Sequence, residues 1–594
     1  MRVTTVDHYS PGPGTFVHWR VRDDGDTHES PIPPSFNQLV HLAGAEAGNT
    51  WLAAAFDVDG PLDRAALAAA YRTLIARHGT LRSSFTATPS GPRRVLRSAT
   101  VHLDEQPTTT PRSTAALRDT IWRHCNDRCA PFADRAYLLA AIDRPDTATV
   151  VCAFDHAHVD AHSIAIVIDE LRLLYHGAAP ETLPPVGDFV DHCARPTAFD
   201  PADPRLRGWR EFFGDQGVVP PLFPLDLGLA PGGSAPQAVS LRQVLTAEDA
   251  EAFESWCRGN DAGFFAGLLA ALAHGVRAAG GGERTRLLFP MHTRYEPRWE
   301  RAVGWFTTNA PLAIDTSGTL AETVRRAQPA VRAAIEIGAL PLAETLHALG
   351  GLRPRRNDIF MVSYLDYRRL PGARARHATH ISNTSTADDV QIWFSRTDDG
   401  LALRVRYPAT PLAHAVLRSF LAEVEQILRS DVCAAGDRGF ARRVRCTAVE
   451  RPRRPTGAIA PGCRGIRPRR RRQRARSRRR SDVAPGRSTL WPVRRKGRSG
   501  GVALFRGLRL SLRRSRGPGD RPVVAVEHQI AGVLQDQRRR AHGPRPRRPR
   551  RGPTCGVQDQ VAVVLVDQIL SVRRRGRPQH FPAGPIEHQV AITL

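Results

Sequence analysis

Lysine, methionine and long apolar runs are nearly absent from this chain. Its 594 residues include a single lysine, Lys496, so arginine supplies almost all of the positive charge. No segment approaches the roughly 20 apolar residues that a transmembrane helix needs, and the first residues contain no apolar signal region. We therefore expect no membrane-spanning segment and a cytoplasmic location, with peripheral contact to a membrane surface left open.

Paired cysteines are absent as well. None of the nine cysteines belongs to a Cys-x-x-Cys pair, and a disulfide scaffold is not expected in a chain of this size. Cys125 and Cys129 are four residues apart on a predicted helix, where buried thiols act as small hydrophobic side chains. Hydrophobic residues make up 41% of the chain, enough for a large core in several domains or two fused halves.

The positive charge is concentrated at one end of the chain. The net charge is +27, yet residues 1–450 contain 48 arginines against 51 acidic residues, so the excess belongs to the remainder. We predict that 441–594 is an Arg/Pro/Gly-rich tail that is disordered or translated out of frame, because it lacks apolar periodicity. An arm that binds nucleic acid or anionic lipid is the alternative, although no specific nucleic acid is expected.

Before this tail, predicted strands and helices alternate without sequence repeats, which indicates a mixed α/β protein. Asp63 is placed to cap a helix, and a proline-rich passage over 180–224 suggests a crossover between halves. The main predicted strands are 14–21, 51–58, 81–86, 147–154, 285–289, 358–366, 390–396 and 401–407. The main predicted helices are 64–78, 111–130, 262–279, 319–337, 341–349 and 411–429.

Three histidines and two aspartates follow the predicted strand 147–154. The segment reads Asp155-His156-Ala157-His158-Val159-Asp160-Ala161-His162-Ser163, and an amphipathic helix is predicted after it. These side chains could be ordinary polar turn residues. They could also bind a metal, although no second cluster of ligands is apparent. The third interpretation is that one histidine acts as a general base, oriented by its neighbours.

Motifs along roughly 430 residues resemble those of the condensation-domain superfamily, whose fold is that of chloramphenicol acetyltransferase. With Asp160 aligned to the aspartate of His-His-x-x-x-Asp-Gly, His156 takes the place of the second histidine, while Asp155 and Ala161 depart from the pattern. The Asp-His-x-His-x-Asp form is similar to that of the polyketide-associated (Pap) acyltransferases of actinobacteria. Further matching segments are 11–14, 33–38, 77–85, 223–228, 303–309 and 357–360.

The resemblance implies an α/β fold of two chloramphenicol acetyltransferase-like halves, which form a V-shaped pseudo-dimer with mixed sheets. We expect the halves at 1–180, which carries the histidine motif, and 181–440. His156 is then the catalytic base, and Asp160 is a structural residue paired with Arg294 from the other half. Residues expected near the site are Asp155, His158, His162, Ser163, Trp305 and Asn309, with no metal.

The implied activity is transfer of an acyl group from a carrier-protein or coenzyme A thioester to a hydroxyl, in the biosynthesis of a lipid, polyketide or other secondary metabolite. No cofactor is expected to stay bound. The expected partners are an acyl carrier protein or a polyketide or peptide synthase, and a small-molecule, sugar or lipid acceptor for a monomeric enzyme. The alternatives are an amide-forming nonribosomal peptide condensation enzyme and an inactive condensation-fold module that binds carrier proteins.

Overall fold

A computed structural model describes residues 1–430, except 24, 46–47 and 196–197. The predicted tail, 441–594, lies outside these residues, so its interpretations stay predictions. The described part is a mixed α/β structure with two seven-stranded sheets and one three-stranded sheet. None of its helices is both long and apolar enough to span a membrane.

The strands in chain order are β1 (Arg2–Thr5), β2 (Thr15–Asp23), β3 (Thr27–Glu29), β4 (Trp51–Asp59), β5 (Ser83–Thr86), β6 (Arg93–Arg97), β7 (Val101–Glu105), β8 (Tyr137–Asp143), β9 (Thr147–Asp155), β10 (Ala235–Leu245), β11 (Arg284–His292), β12 (Thr307–Asp315), β13 (Met361–Asp366), β14 (Thr379–Ser382), β15 (Thr386–Ala387), β16 (Gln391–Thr397) and β17 (Gly400–Pro408). The helices are α1 (Phe36–Ala43), α2 (Arg64–Arg77), α3 (Thr114–Arg128), α4 (Ala161–Tyr175), α5 (Phe189–Ala194), α6 (Leu206–Phe213), α7 (Ala247–Gly259), α8 (Phe264–Ala278), α9 (Pro297–Glu300), α10 (Leu320–Gly338), α11 (Leu342–Ala348) and α12 (Pro411–Arg429).

The first large sheet has the strand order β1-β14-β4-β9-β8-β2-β7. Both faces of β9 are buried: Val150 and Cys152 pack in a core with α2 and α4, whereas Val151 and Ala153 pack in a second core with α3. Burial on both faces explains why β9 is a continuous apolar run rather than an alternating one. The end of β9 therefore lies at a fixed position between two layers of helices.

The second large sheet has the order β12-β11-β13-β16-β17-β10-β15. One hydrophobic cluster joins it to α7, α8, α10 and α12. Helix α8 is buried along nearly its whole length, as its apolar composition predicts. This sheet brings β11, β12 and β17 to the region that faces the histidine turn.

Strand β14 belongs to the first sheet although it lies far along the chain. It runs parallel to β1 and antiparallel to β4, with His380 opposite Ala54. Through this strand, a segment from the predicted second half covers the edge that β4 would otherwise expose. The division into 1–180 and 181–440 stays a prediction, and the first sheet draws on residues from both ranges.

The predicted elements agree with the structure where the apolar pattern is long. The Asp63 side chain accepts a hydrogen bond from the Ala66 amide at 2.9 Å and caps α2 as expected. The predicted strand 81–86 is wrong at its start, because Gly79–Arg82 forms a 3₁₀ turn before β5. Strands β8, β10 and β12 were not predicted. Cys125 and Cys129 are buried and unpaired by disulfides, as expected.

Candidate active site

The histidine turn is a single 3₁₀ turn, His156–His158, between β9 and α4. Three hydrogen bonds hold the turn and the start of α4. The buried Asp155 carboxylate accepts one from the Ala157 amide at 2.9 Å, and the His156 amide donates one to the Thr50 carbonyl at 2.9 Å. The third is the cap of α4, which Asp160 provides by accepting from the Ser163 amide at 2.7 Å. The backbone at His156 is therefore fixed on both sides.

Asp160 joins the turn to a segment more than 130 residues away. Its carboxylate accepts hydrogen bonds from Nη1 and Nη2 of Arg294 at 2.7 and 3.0 Å, and a further one from the Phe306 amide at 3.0 Å. Burial alone raises the pKa of Asp160, but the charge and hydrogen bonds of Arg294 outweigh it and lower this pKa to about 2. Asp160 is thus an ionised carboxylate whose oxygens are occupied by protein donors.

Ser163 extends this junction. Its hydroxyl donates to the Gly304 carbonyl at 2.9 Å and accepts from the Gly304 amide at 3.0 Å and from Nη2 of Arg294 at 2.9 Å. A Cβ atom at Gly304 would lie 2.4 Å from the ring of Phe189, so a larger residue fits there only if Phe189 moves. The backbone before Trp305 is therefore held against the start of α4.

His156 lines a cavity of about 620 Å³, whose walls come from both large sheets. Its ring lies against Trp305, with 4.1 Å between the ring centroids. Its Nδ1 is buried and has no hydrogen-bond partner among the described residues. Burial, together with the nearby ring of His41, lowers the pKa of His156 to about 4. The imidazole is consequently neutral near pH 7 and able to accept a proton.

His41 is part of this site, and the sequence analysis missed it. Its Nε2 lies 2.9 and 3.0 Å from the two carboxylate oxygens of Asp155. The His41 ring lies 6.3 Å from that of His156 and 5.9 Å from that of Trp305. A histidine on α1 gives no local sign of this contact, since only tertiary packing brings α1 to the end of β9. Its closeness to the matched segment 33–38 was the one available signal.

His158 and His162 do not line the cavity. Nδ1 of His158 donates to the Thr80 carbonyl at 2.9 Å, and its ring stacks on Phe85 at 5.5 Å. Burial lowers the pKa of His158 to about 4 and that of His162 to about 3. The sequence analysis placed both near the site, and the structure separates them from the cavity that His156 reaches.

Two other expected residues, Trp305 and Asn309, do line the cavity. In the described residues no group of histidine, cysteine and acidic side chains could hold a metal ion. The arrangement thus presents the neutral imidazole of His156 to the cavity, with a carboxylate–arginine pair directly behind the turn. Such a group can take a proton from a bound hydroxyl or amine.

Comparison with known proteins gives a consistent result. The Condensation domain family model matches residues 35–410. Acyltransferase PapA3 of Mycobacterium tuberculosis is 25% identical over 466 residues, which cover 72% of this chain and 96% of that protein. Trehalose-2-sulfate acyltransferase PapA2 of Mycobacterium tuberculosis is 24% identical over 468 residues, with 72% and 96% covered.

Solved structures resemble the described fold. A PapA2 acyl transferase superposes with a TM-score of 0.66 at 23% identity, covering 72% of this chain and 99% of that chain. The X-domain from teicoplanin biosynthesis superposes with a TM-score of 0.53 at 20% identity, covering 68% and 95%. Both superpose on the described part of the chain, which confirms the expected condensation-domain fold.

Proposed function

The chain belongs to the condensation-domain family and is an acyltransferase, and from that premise we propose that it moves an acyl group from a thioester to a hydroxyl, forming an ester in lipid or polyketide biosynthesis. The observation that carries this proposal is the position of His156 at the cavity wall. His156 is the only residue of the predicted triplet His156, His158 and His162 that lines this cavity.

In the proposed reaction, His156 accepts the proton of the acceptor hydroxyl as its oxygen attacks the thioester carbonyl. A carbon–oxygen bond forms, and the tetrahedral intermediate then collapses with cleavage of the carbon–sulfur bond. The imidazolium returns the proton to the departing thiolate, so that a thiol leaves and the base is regenerated. A positioned base of this kind contributes about 10²–10⁴-fold to the rate.

Asp160 has a different proposed role. Within the described residues, its hydrogen bonds are made to Ser163, Arg294 and Phe306, which leaves it poorly placed to act on a substrate. We assign Asp160 and Arg294 to holding the turn and the Trp305 segment together. His41 and Asp155 form a histidine–carboxylate pair beside the base, and the contact with the Trp305 ring restricts the orientation of the His156 ring.

The substrates are part of the proposal, because membership of the family does not identify them. The donor is an acyl-coenzyme A or an acyl chain on a carrier protein. One relative is named for trehalose-2-sulfate, which supports a sugar or lipid hydroxyl as the acceptor. The cavity of about 620 Å³ is in the range of small-molecule sites.

The test is to incubate the full chain with a panel of acyl-coenzyme A donors and with sugar, alcohol and amine acceptors, and to detect products by mass spectrometry. We expect ester products and release of free coenzyme A. Exclusive formation of amides would contradict the ester assignment. Failure with every acceptor, together with tight binding of an acyl carrier protein, would favour a binding module instead.

A pair of variants tests the assignment of the base. His156→Ala should abolish turnover while the chain still folds, because the buried Nδ1 makes no hydrogen bond with the described residues. His158→Gln is the matched control, since it changes a neighbouring histidine that does not reach the cavity. The proposal fails if His156→Ala stays active while His158→Gln does not.

A further inference from the structure

Arg404 is a buried cation in the wall of the cavity that His156 lines. It lies on β17 and is 8% exposed. Its Nη1 donates to the Ser382 hydroxyl, and its guanidinium lies over the ring of Trp393 at 4.1 Å. Its Nε has no hydrogen-bond partner in the described part of the chain. A hydroxyl and an aromatic face contact the guanidinium, but neither neutralises its charge.

Two other arginines that line the same cavity have carboxylate partners. Arg406, two residues further along β17, pairs with Asp358 at 2.6 Å, and Arg356 pairs with Asp389 at 3.2 Å. No carboxylate pairs with Arg404 among residues 1–430, as far as the structure describes them. Because a buried charge without a counterion is costly, such a position is strongly favourable for an incoming anion.

His380 places a second polar group beside this arginine. His380 and Ser382 are two residues apart on β14, so their side chains lie on the same face of the strand. Nδ1 of His380 lies 3.0 Å from the Tyr367 hydroxyl, whereas its Nε2 is buried without a partner among the described residues. When the tyrosine hydroxyl donates to Nδ1, the proton of the neutral ring resides on Nε2, which then becomes a free donor.

We propose that Arg404 and His380 form a subsite for an oxyanionic group, such as a sulfate, phosphate or carboxylate, carried by a substrate of the cavity. Arg404 supplies the charge and a planar set of donors that suits such a group, and His380 supplies a further hydrogen bond. The subsite lies where β14, a strand of the first large sheet, meets β17, a strand of the second. That this anion belongs to a substrate rests on the proposed function.

The binding test does not depend on catalysis. The melting temperature of the full chain is measured in sodium sulfate and in sodium chloride at matched ionic strength. A specific site raises the melting temperature in a saturable way, because ligand that binds the folded state stabilises it. We expect this extra rise in the wild type and its loss in Arg404→Met. If sulfate raises the melting temperatures of the wild type and Arg404→Met equally and without saturation, the effect is a general one of the salt, and the subsite proposal is wrong.

Two further variants make this test decisive. Arg406→Met removes a cation from the same strand that already has a carboxylate partner, so the sulfate response should persist. His380→Gln tests the subsite without altering the contact of Arg404 with Trp393, so it decides the matter if Arg404→Met does not fold. A wild-type sulfate response in folded His380→Gln would remove His380 from the subsite, and in that case the two-residue proposal is wrong.

Substrate comparisons identify which substrate carries the anion. Sulfated and unsulfated forms of one sugar acceptor are compared with a single acyl donor, and donors with and without a terminal carboxylate are compared with a single acceptor. In one of the two pairs, Arg404→Met should lower kcat/KM for the anionic member by about ten- to a hundredfold more than for the neutral member. Equal effects on both members of both pairs would overturn the proposal. If Arg404→Met loses the sulfate response but the wild type turns over none of the substrates, the subsite stands and the proposed function is refuted.

Discussion

Replacing Asp160 by alanine should destabilise the protein strongly, because it leaves the buried Arg294 guanidinium without its counterion. Breaking a buried ion pair by removing one partner typically costs 3–5 kcal/mol, so about 4 kcal/mol is expected from this source. Loss of the N-terminal cap of α4 adds about 1 kcal/mol. The free energy of unfolding should therefore fall by about 5 kcal/mol.

This free energy converts into a measurable change of melting temperature. The unfolding entropy of about 2.1 cal/mol/K per residue, applied to the roughly 430 residues of the described part, gives about 0.9 kcal/mol/K. A loss of about 5 kcal/mol then lowers the melting temperature by about 5 °C. The assay is thermal unfolding of the wild type and Asp160→Ala, followed by circular dichroism at pH 7.

The pH dependence of this difference has a definite sign. The pKa of Asp160 is lowered to about 2 from the ordinary value of 3.8, so its ionised form is stabilised in the folded protein. The corresponding stability, roughly 2–3 kcal/mol, is present above about pH 4 and is lost as the pH falls toward 2. The gap in melting temperature between wild type and Asp160→Ala should therefore narrow below pH 4.

Two controls define what would refute this reasoning. Asp169→Ala removes the partner of Arg301 from the same helix, but that pair is partly exposed and should contribute about 1 kcal/mol or less. Adding Arg294→Met to Asp160→Ala should recover stability, because it removes the unpaired charge. An Asp160→Ala melting temperature within 1 °C of the Asp169→Ala value, or no recovery in the double variant, would refute a buried and paired Asp160.

Three further predictions follow from the same contacts. If His156 is the base, its pKa of about 4 sets the acid limb of the kcat/KM profile near pH 4, since activity needs the neutral ring; a limb near 6.5 would contradict this. Glu170→Gln should lower the melting temperature by an amount that corresponds to about 3 kcal/mol, because the buried carboxylate accepts two hydrogen bonds from Arg77 at 3.0 and 3.1 Å; a melt unchanged from the wild type would show that this pair is not stabilising. Gly304→Ala should lower the free energy of unfolding by about 1–3 kcal/mol, because it forces Phe189 aside. A melting temperature equal to that of the wild type would rule out the tight contact.

The sequence predicted those parts of the fold in which local pattern and burial agree. The predicted strand 147–154 corresponds to β9, and the predicted helix 64–78 with its Asp63 cap corresponds to α2. The strand β8 was missed although it is equally buried. Strand β14 was missed because four residues carry too little periodicity to indicate a strand.

The active site also has a part that the sequence predicted and a part that it did not. The order of Asp155, His156 and Asp160 at the end of a strand was apparent from the sequence. The partner of Asp160 was expected from the family resemblance, and the structure places Arg294 against it. His41 could not be found, since its contact with Asp155 depends on how α1 packs over the turn.

The sequence by itself therefore determined the chemistry available at the turn, because the order of residues along a strand end decides which side chains meet the helix that follows. The tertiary structure decided which of these groups can act. It directs His156 into a cavity and turns His158 toward Thr80, although both belong to the same short turn. It also inserts β14 between β1 and β4, which places His380 near Arg404. Contacts of this kind depend on the packing of segments far apart in the chain, and no local pattern encodes them.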